Sequence, residues 1–367
     1  MSETFTPLDI EMMARALQLA GQGIYTAHPN PRVGCVVVKE GEIIGQGYHA
    51  QAGEPHAEII ALEDAGKDAE GSTVYVSLEP CCHYGRTSPC GDALIKAGIC
   101  ELIAAMEDPN PKVAGGGFDK LKDAGIKVRV GLLETRAKKL NEGFIFRMQH
   151  GRPFVRLKLA SSLDGATAML DGESKWITGE AARKDVQKLR ASSGAIMTGV
   201  GTVLADDPSL TVRNIGLELY SNQPLRVVLD SRLRMRPESK MLTLEGRTIV
   251  FCTDDANRQA LEAAGAVIIK VPSSESQTSL NGVLQELAVL EINEVLIEAG
   301  PSITGNFISA GLADELIFYQ APYLMGSHTR RMLESTDWTN MSDRRSLKII
   351  DLRKVGDDIR IVARPIS

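Results

Sequence analysis

GCVVVKEGEIIGQGYH (Gly34–His49), followed by PHAEIIALEDA (Pro55–Ala65) and TVYVSLEPC (Thr73–Cys81), decides the fold of the first half of the chain. The first stretch reads as two strands around a Lys39-Glu40-Gly41 turn, because strand-forming residues run up to a glycine and resume after it. A helix is predicted from His56 to about Ala65, and TVYVSL (Thr73–Leu78) predicts a third strand. On the N-terminal side, a helix from about Pro7 to Leu19 would place Ile10, Met13, Ala14 and Leu17 on one face and stop at Gly21. On the C-terminal side, a Pro- and Cys-rich loop leads to a helix near Asp92–Ala97, a strand in ELIAAM and a DPNP turn at Asp108–Pro111. Strands alternating with short helices specify an α/β layered domain, ending near residue 145.

A second α/β pattern begins at PFVRLKLA (Pro153–Ala160), apolar enough for a buried strand. Further strands are predicted in GAIMTG, LRVVLD, RTIVFC, AVIIKV, EVLIEA and ELIFYQ, with helices at Glu180–Ala191, Asn257–Ala264 and Leu280–Leu290. The seam, GFIFRMQHGRPF, is short and of ordinary complexity, so the halves are expected to pack together instead of hanging on a flexible linker. No internal repeat relates them.

The 367 residues fit two or three domains at roughly 150 residues each, and we place the domains at 1–146 and 150–367. Apolar residues make up 43% and charged residues 24%, enough for ordinary globular cores. A net charge of −6 without a run of like charges disfavours nucleic acid as partner. MSETFTPLDI has neither a basic nor an apolar leader region, and no apolar run approaches the length of a membrane helix. Five of the six cysteines fall in the first hundred residues, unlike a disulfide framework. These features point to a cytoplasmic protein with no membrane partner. Cys35, Cys100 and Cys252 then read as reduced, buried thiols.

Cys81 and Cys90 read differently. His56 opens a helix just after a Gly-Glu-Pro turn, and Cys90 lies nine positions after Cys81. One imidazole and two thiolates make a good zinc set, and three protein ligands leave a fourth position for water. Zinc lowers the pKa of that water to about 7. Glu58, two residues beyond His56, is placed to take a proton and pass it to a ring nitrogen and a leaving amine. The generic deaminase pattern is H-x-E followed by P-C-x-x-C, whereas eight residues separate the cysteines here. Cys82 and His83 are rival ligands, and a four-ligand structural zinc is the competing reading, which leaves Glu58 without a role.

His28-Pro29-Asn30-Pro31 with Val33-Gly34, GEPHAE (Gly53–Glu58), SLEPCCHYGRTSPC (Ser77–Cys90) and DPNP together resemble the deaminase half of the bifunctional riboflavin-biosynthesis deaminase/reductase family. In that family the long Cys–Cys loop is the normal form and a serine usually stands at position 82. The resemblance continues through LKLASSLDG (Leu157–Gly165), GESKWIT (Gly172–Thr178), TVLADDPSLTVR (Thr202–Arg213) and EAGPSITG (Glu298–Gly305), and is weakest over residues 214–295. It implies a cytidine-deaminase-like α/β/α domain followed by a dihydrofolate-reductase-like α/β domain. The implied substrate is a 2,5-diamino-6-ribosylamino-pyrimidinone 5′-phosphate, deaminated with Zn2+ in the first domain and reduced with NADPH in the second. Asn30 and His49 would line the pyrimidine pocket. Ala160, Trp176, Thr202, Asp206, Ser231 and Gly300, Pro301, Ser302, Ile303, Thr304, Gly305 and Asn306 would contact NADPH. Ser174, Arg190, Leu210, Arg213 and Glu298 would contact substrate, and a homo-oligomer, dimer or tetramer, is implied.

On its own residues the second half says less. Gly199-Val200-Gly201 follows a strand, but Leu204 stands where a dinucleotide fingerprint needs its third glycine. The Glu298–Asn306 stretch runs from a strand into a helix, where free N–H groups suit cofactor phosphates. Arg190 and Arg213 suit a phosphate clamp, Lys158 and Asp164 lie close to these words, and Trp176 as a plain core residue is the alternative. Two other functional classes compete. A nucleic-acid base deaminase with an RNA-binding C-terminal half would need a basic, aromatic-rich second half, whereas aromatics are only 5% of the chain. A non-catalytic zinc module would be indifferent to Glu58.

Overall fold

The computed structural model describes residues 4–82, 89–111, 113–213, 223–274, 277–334 and 338–366. The chain forms two compact units, residues 1–152 and 153–367. Among the described residues no helix is long and apolar enough to cross a membrane.

In the first unit, α1 (Pro7–Ala20) starts with Pro7 in its first turn and a reciprocal cap between Thr6 and Asp9. It is followed by β1 (Gly34–Lys39), β2 (Glu42–Tyr48), α2 (Ala57–Ala65), β3 (Thr73–Val76), α3 (Cys90–Lys96), β4 (Glu101–Ala104), α4 (Gly116–Asp123), β5 (Lys127–Val130), α5 (Glu134–Leu140) and α6 (Glu142–His150). The sheet order is β2-β1-β3-β4-β5. β1 is antiparallel to β2 and β3, while β3, β4 and β5 run parallel. Strand side chains alternate between the two faces. Cys35, Val37, Val74, Val76 and Leu102 meet α2, α3 and α4 through Ala57, Ala61, Leu94, Phe118 and Leu121. Val36, Val38, Tyr75 and Ile103 meet α1 and α5 through Met13, Ala16, Leu17 and Ala137. An α/β/α sandwich results, as the family resemblance implied; the alternating pattern by itself indicated an α/β layered domain.

The buried face of α1 differs from the expected one. Met12, Met13, Ala16, Leu17, Leu19 and Ala20 are buried, whereas Ile10 is 46% exposed. The helix is turned so that Asp9 points inward, where its carboxylate accepts bonds from Tyr75 (2.7 Å) and Arg129 (3.1 Å). Polar anchoring outweighs the burial of one isoleucine. Of the three cysteines expected to be buried, Cys35 and Cys252 are, but Cys100, just before β4, is exposed, with its Sγ donating to the Ser72 carbonyl.

The second unit runs β6 (Phe154–Ser162), β7 (Ala166–Met169), α7 (Glu180–Ala191), β8 (Ala195–Gly199), α8 (Val200–Asp206), β9 (Leu225–Leu229), α9 (Lys240–Thr243), β10 (Thr248–Cys252), α10 (Arg258–Ala263), β11 (Ala266–Lys270), β12 (Ser273–Ser274), β13 (Gln277–Thr278), α11 (Leu280–Val289), β14 (Glu294–Ile297), α12 (Pro301–Ser309), β15 (Glu315–Ala321), β16 (Thr329–Arg331), β17 (Leu347–Val355) and β18 (Asp358–Pro365). Its large sheet has the order β11-β10-β9-β8-β14-β6-β15-β18-β17. The strands from β11 to β15 are parallel, and all but the edge strand β11, where Val267 is exposed, are largely buried on both faces, as crossover helices require. One face packs α11 and α12 through Val283, Leu287 and Phe307. The other packs α8, α9 and α10 through Val203, Met241 and Leu261. β18 and β17 close the order as an antiparallel pair that no sequence pattern announced.

Candidate functional site

In the first unit the sequence brings one imidazole and two thiols to the helix starts on one side of the sheet. His56 is the N-cap residue of α2 and Cys90 is the first residue of α3. Cys81 follows β3 on the loop between them. The His56 Nδ1 lies 3.2 Å from Cys90 Sγ and 3.6 Å from Cys81 Sγ, and the three potential ligand atoms lie within 4.8 Å of one another. A hydrogen bond from Cys90, then those from His56 and the Cys90 N–H, lower the pKa of the Cys81 thiol against the effect of burial. Donating to Cys81 and burial push Cys90 the other way. Two sulfurs and one nitrogen suit a borderline-soft cation in tetrahedral geometry, with one position left for a small molecule. Among the described residues these three form the one such His/Cys/Asp/Glu group. Cys82 points elsewhere, with its Sγ 4.0 Å from the Val113 carbonyl, and the rival ligand His83 lies outside the described residues.

Glu58 is 3% exposed, on the first turn of α2. Burial, and next the nearby Cys81 charge, raise its carboxyl to about 7, with His56 opposing. His49 is 2% exposed, and its ring meets His56 edge-on at 5.3 Å. The Pro55 carbonyl can only accept, so His49 Nδ1 donates to it (3.2 Å) and Nε2 accepts from the Asn30 amide (3.0 Å). Burial lowers the His49 pKa, consistent with this neutral tautomer. Asn30 thus keeps its side-chain oxygen for another partner.

In the second unit a cleft of about 1760 Å³ opens at the carboxyl ends of the parallel strands, where open α/β sheets bind ligands. Ala160, Ser174, Trp176, Arg190, Thr202, Asp206, Leu210, Arg213, Ser231, Glu298, Gly300 to Thr304 and Asn306 all line it. Gly305 does not. A Cβ there would come 1.7 Å from the Glu334 carbonyl oxygen, so this glycine lets α12 pack against the backbone at Glu334. Cations outnumber acids along the lining, ten to six, which favours an anionic ligand.

Trp176 is 70% exposed, so the core reading of this residue does not hold; the Arg183 guanidinium lies 4.6 Å over its ring. Arg190 donates to both carboxylate oxygens of Glu298 (2.6 and 3.0 Å) and to the Thr211 carbonyl (3.0 Å). Burial opposes ionisation of Glu298, but the charge and hydrogen bonds of Arg190 together with the Lys158 charge outweigh it, and the pKa falls. Lys158 lines the same cleft, and burial lowers its pKa against the pull of Glu298. Asp164 is not among the lining residues; it staples a turn by accepting from Ser162 and from the Met325 and Gly326 N–H groups. Sequence reasoning passed over Arg183, Arg232 and Arg234, which also line the cleft. Arg183 was detectable only as a helix-face cation seven positions beyond Trp176, and the other two lie in a turn whose geometry has no sequence signature.

The match to known proteins covers both units. Residues 7–106 match the cytidine and deoxycytidylate deaminase zinc-binding region, and residues 153–361 match the RibD C-terminal domain. The chain is 48% identical to the riboflavin biosynthesis protein RibD of Escherichia coli K12, over 95% of this chain and 96% of that one. It superposes on the solved structure of Acinetobacter baumannii RibD with a TM-score of 0.93 at 45% identity, covering 98% and 99% of the two chains. A Thermotoga maritima diaminohydroxyphosphoribosylaminopyrimidine deaminase/5-amino-6-(5-phosphoribosylamino)uracil reductase superposes with a TM-score of 0.86 at 34% identity over the same shares.

Proposed function

The chain belongs to the RibD family of bifunctional riboflavin-biosynthesis enzymes, and from that premise we propose how its residues divide two successive reactions on one phosphorylated pyrimidine. The first is hydrolytic deamination of 2,5-diamino-6-ribosylamino-4(3H)-pyrimidinone 5′-phosphate to 5-amino-6-(5-phosphoribosylamino)uracil. The second is reduction of the ribosyl group to ribityl. The observation that carries this reading is the gathering of His56, Cys81 and Cys90 beside the buried carboxylate of Glu58.

His56 Nδ1, Cys81 Sγ and Cys90 Sγ would hold zinc, which when bound is a Lewis acid that makes water nucleophilic near neutral pH. Glu58 accepts one proton from the attacking water on its carboxylate and gives it to the ring nitrogen, then takes the second from the newly added hydroxyl and gives it to the departing ammonia. The Asn30 side-chain oxygen receives a pyrimidine N–H, and neutral His49 fixes the Asn30 amide in that orientation.

In the cleft, NADPH would supply hydride to the opened sugar. The N-terminus of α12 has no side-chain cap, so its free N–H groups and positive dipole end suit the cofactor diphosphate. Trp176, steadied by Arg183, forms one wall. Ser231 is held firmly: its carbonyl accepts from Thr253 and Asp254, and its hydroxyl accepts from Thr278. Arg232 and Arg234 beside it would meet the adenosine 2′-phosphate that separates NADPH from NADH. Glu298, fixed by Arg190, and Lys158 would orient the sugar, with Arg213 at its phosphate. No covalent intermediate is needed, because reduction relies on orientation.

The reading includes a cytoplasmic homo-oligomer. The edge strand β17 supports self-association, since it exposes Leu347, Ile349, Ile350 and Leu352; light scattering tests it. The central test supplies the diamino substrate and NADPH to zinc-loaded protein and follows ammonia release and NADPH oxidation separately. Both should occur, with ammonia first. Ammonia without oxidation would remove the second assignment.

A further inference from the structure

Glu79 directly precedes Pro80-Cys81, yet the chemistry above gives it no part. Its side chain is 3% exposed. Among the described residues no cation pairs with it. Instead its carboxylate accepts from four backbone N–H groups. One oxygen takes those of Asp108 (3.1 Å) and Gly115 (3.0 Å), the other those of Gly117 (2.9 Å) and Phe118 (3.3 Å). The last two belong to the first turn of α4, so Glu79 caps that helix from a distant part of the chain. The Glu79 N–H in turn donates to the Met106 carbonyl (3.0 Å).

This arrangement brings two backbones unusually close. A Cβ on Gly117 would lie 2.1 Å from the Pro80 carbonyl oxygen and 3.1 Å from a Glu79 carboxylate oxygen. The start of α4 therefore rests directly on the peptide that leads into Cys81. On the far side, the Cys81 carbonyl accepts from the Gly91 N–H (3.2 Å), and its sulfur accepts from the Cys90 N–H (3.3 Å). Cys81 is held from both ends, by α3 downstream and by the Glu79 contact upstream.

We infer that Glu79 is a positioning residue for the metal centre: by fastening the start of α4 onto the Pro80-Cys81 peptide, its carboxylate fixes the direction from which the Cys81 sulfur meets the cation. The inference rests on the reading of His56, Cys81 and Cys90 as ligands. It assigns Glu79 no contact with substrate.

Cobalt titration of the full-length protein tests it, because the sulfur-to-cobalt charge-transfer band reports thiolate geometry without turnover. Glu79→Gln keeps the shape but turns an amide nitrogen toward two of the N–H donors. Gly117→Ala leaves the carboxylate intact and pushes on the Pro80 carbonyl from the other side, so it reports on the same contact if Glu79→Gln folds poorly. For folded protein, judged by circular dichroism, both variants should bind cobalt about 10-fold or more weakly than the parent, with an altered band. Cobalt affinity and band equal to the parent's in either folded variant would overturn the inference. Absence of the band in the parent itself would instead remove the ligand assignment on which it rests.

Discussion

Glu58 sits on the first turn of α2, two residues after His56, so a helix geometry written into H-A-E sets its distance from the metal ligands. That much was legible, because the spacing is local and the residue types have few other uses together. Glu58→Gln keeps the volume and hydrogen-bonding shape but cannot carry a proton. The expected outcome is a fall in ammonia release of about 10²- to 10⁴-fold with zinc content unchanged by metal analysis; unchanged turnover would return the site to a non-catalytic zinc module. Arg232 and Arg234 were not legible, since they enter the cleft only because the turn after β9 is pinned at Ser231. Replacing both by glutamine removes charge-assisted bonds worth about 1.5–3 kcal/mol each. KM for NADPH should rise at least about 10-fold while KM for NADH barely moves. A parallel rise for both would mean that these arginines do not read the 2′-phosphate.

The local elements followed from the sequence wherever one periodicity ruled, as in α7, whose expected and observed limits coincide. They were missed where no pattern exists: β17 is exposed along most of its length and carries a register irregularity between Ile349 and Asp351, so neither alternation nor a continuous apolar run marks it. The face of α1 was misjudged for a different reason, the inward turn of Asp9. Its carboxylate loses solvation on burial but gains the Thr6 N–H, Tyr75 and Arg129, which lower its pKa from 3.8 to about 2. A carboxylate depressed in the folded state stabilises the fold fully above its unfolded pKa, and that contribution is lost as pH falls through the folded value. Asp9→Asn should therefore cost on the order of 2 kcal/mol at neutral pH. In urea unfolding, the gap to the parent should close between about pH 4 and 2. A gap independent of pH would show that the stabilisation is steric and not ionic.

At the scale of the whole molecule, the two α/β units and their chemical words were readable, but the strand order was not. β14 lies between β8 and β6 in the sheet although more than half of the unit, residues 163–293, separates β6 from it in sequence, and no local pattern encodes such a neighbour. That order has a functional consequence: it brings the carboxyl ends of β6, β8, β9 and β14 together, so Lys158, Thr202, Ser231 and Glu298 reach one cleft from four separate segments. Every residue of that cleft comes from the second unit, and every residue of the metal cluster comes from the first. The described residues of each site come from one unit, so the two activities should be separable by substitution. Cys90→Ser removes one thiolate from the cluster without touching the cleft. It should abolish ammonia release from the diamino substrate, yet leave NADPH oxidation close to the parent's when the already deaminated 5-amino-6-(5-phosphoribosylamino)uracil is supplied. Glu298→Gln should give the converse, because it unpairs Arg190 in the cleft and leaves His56, Cys81 and Glu58 untouched. If Cys90→Ser also lost reduction of the deaminated compound in folded protein, the sites would depend on each other and the separation would fail.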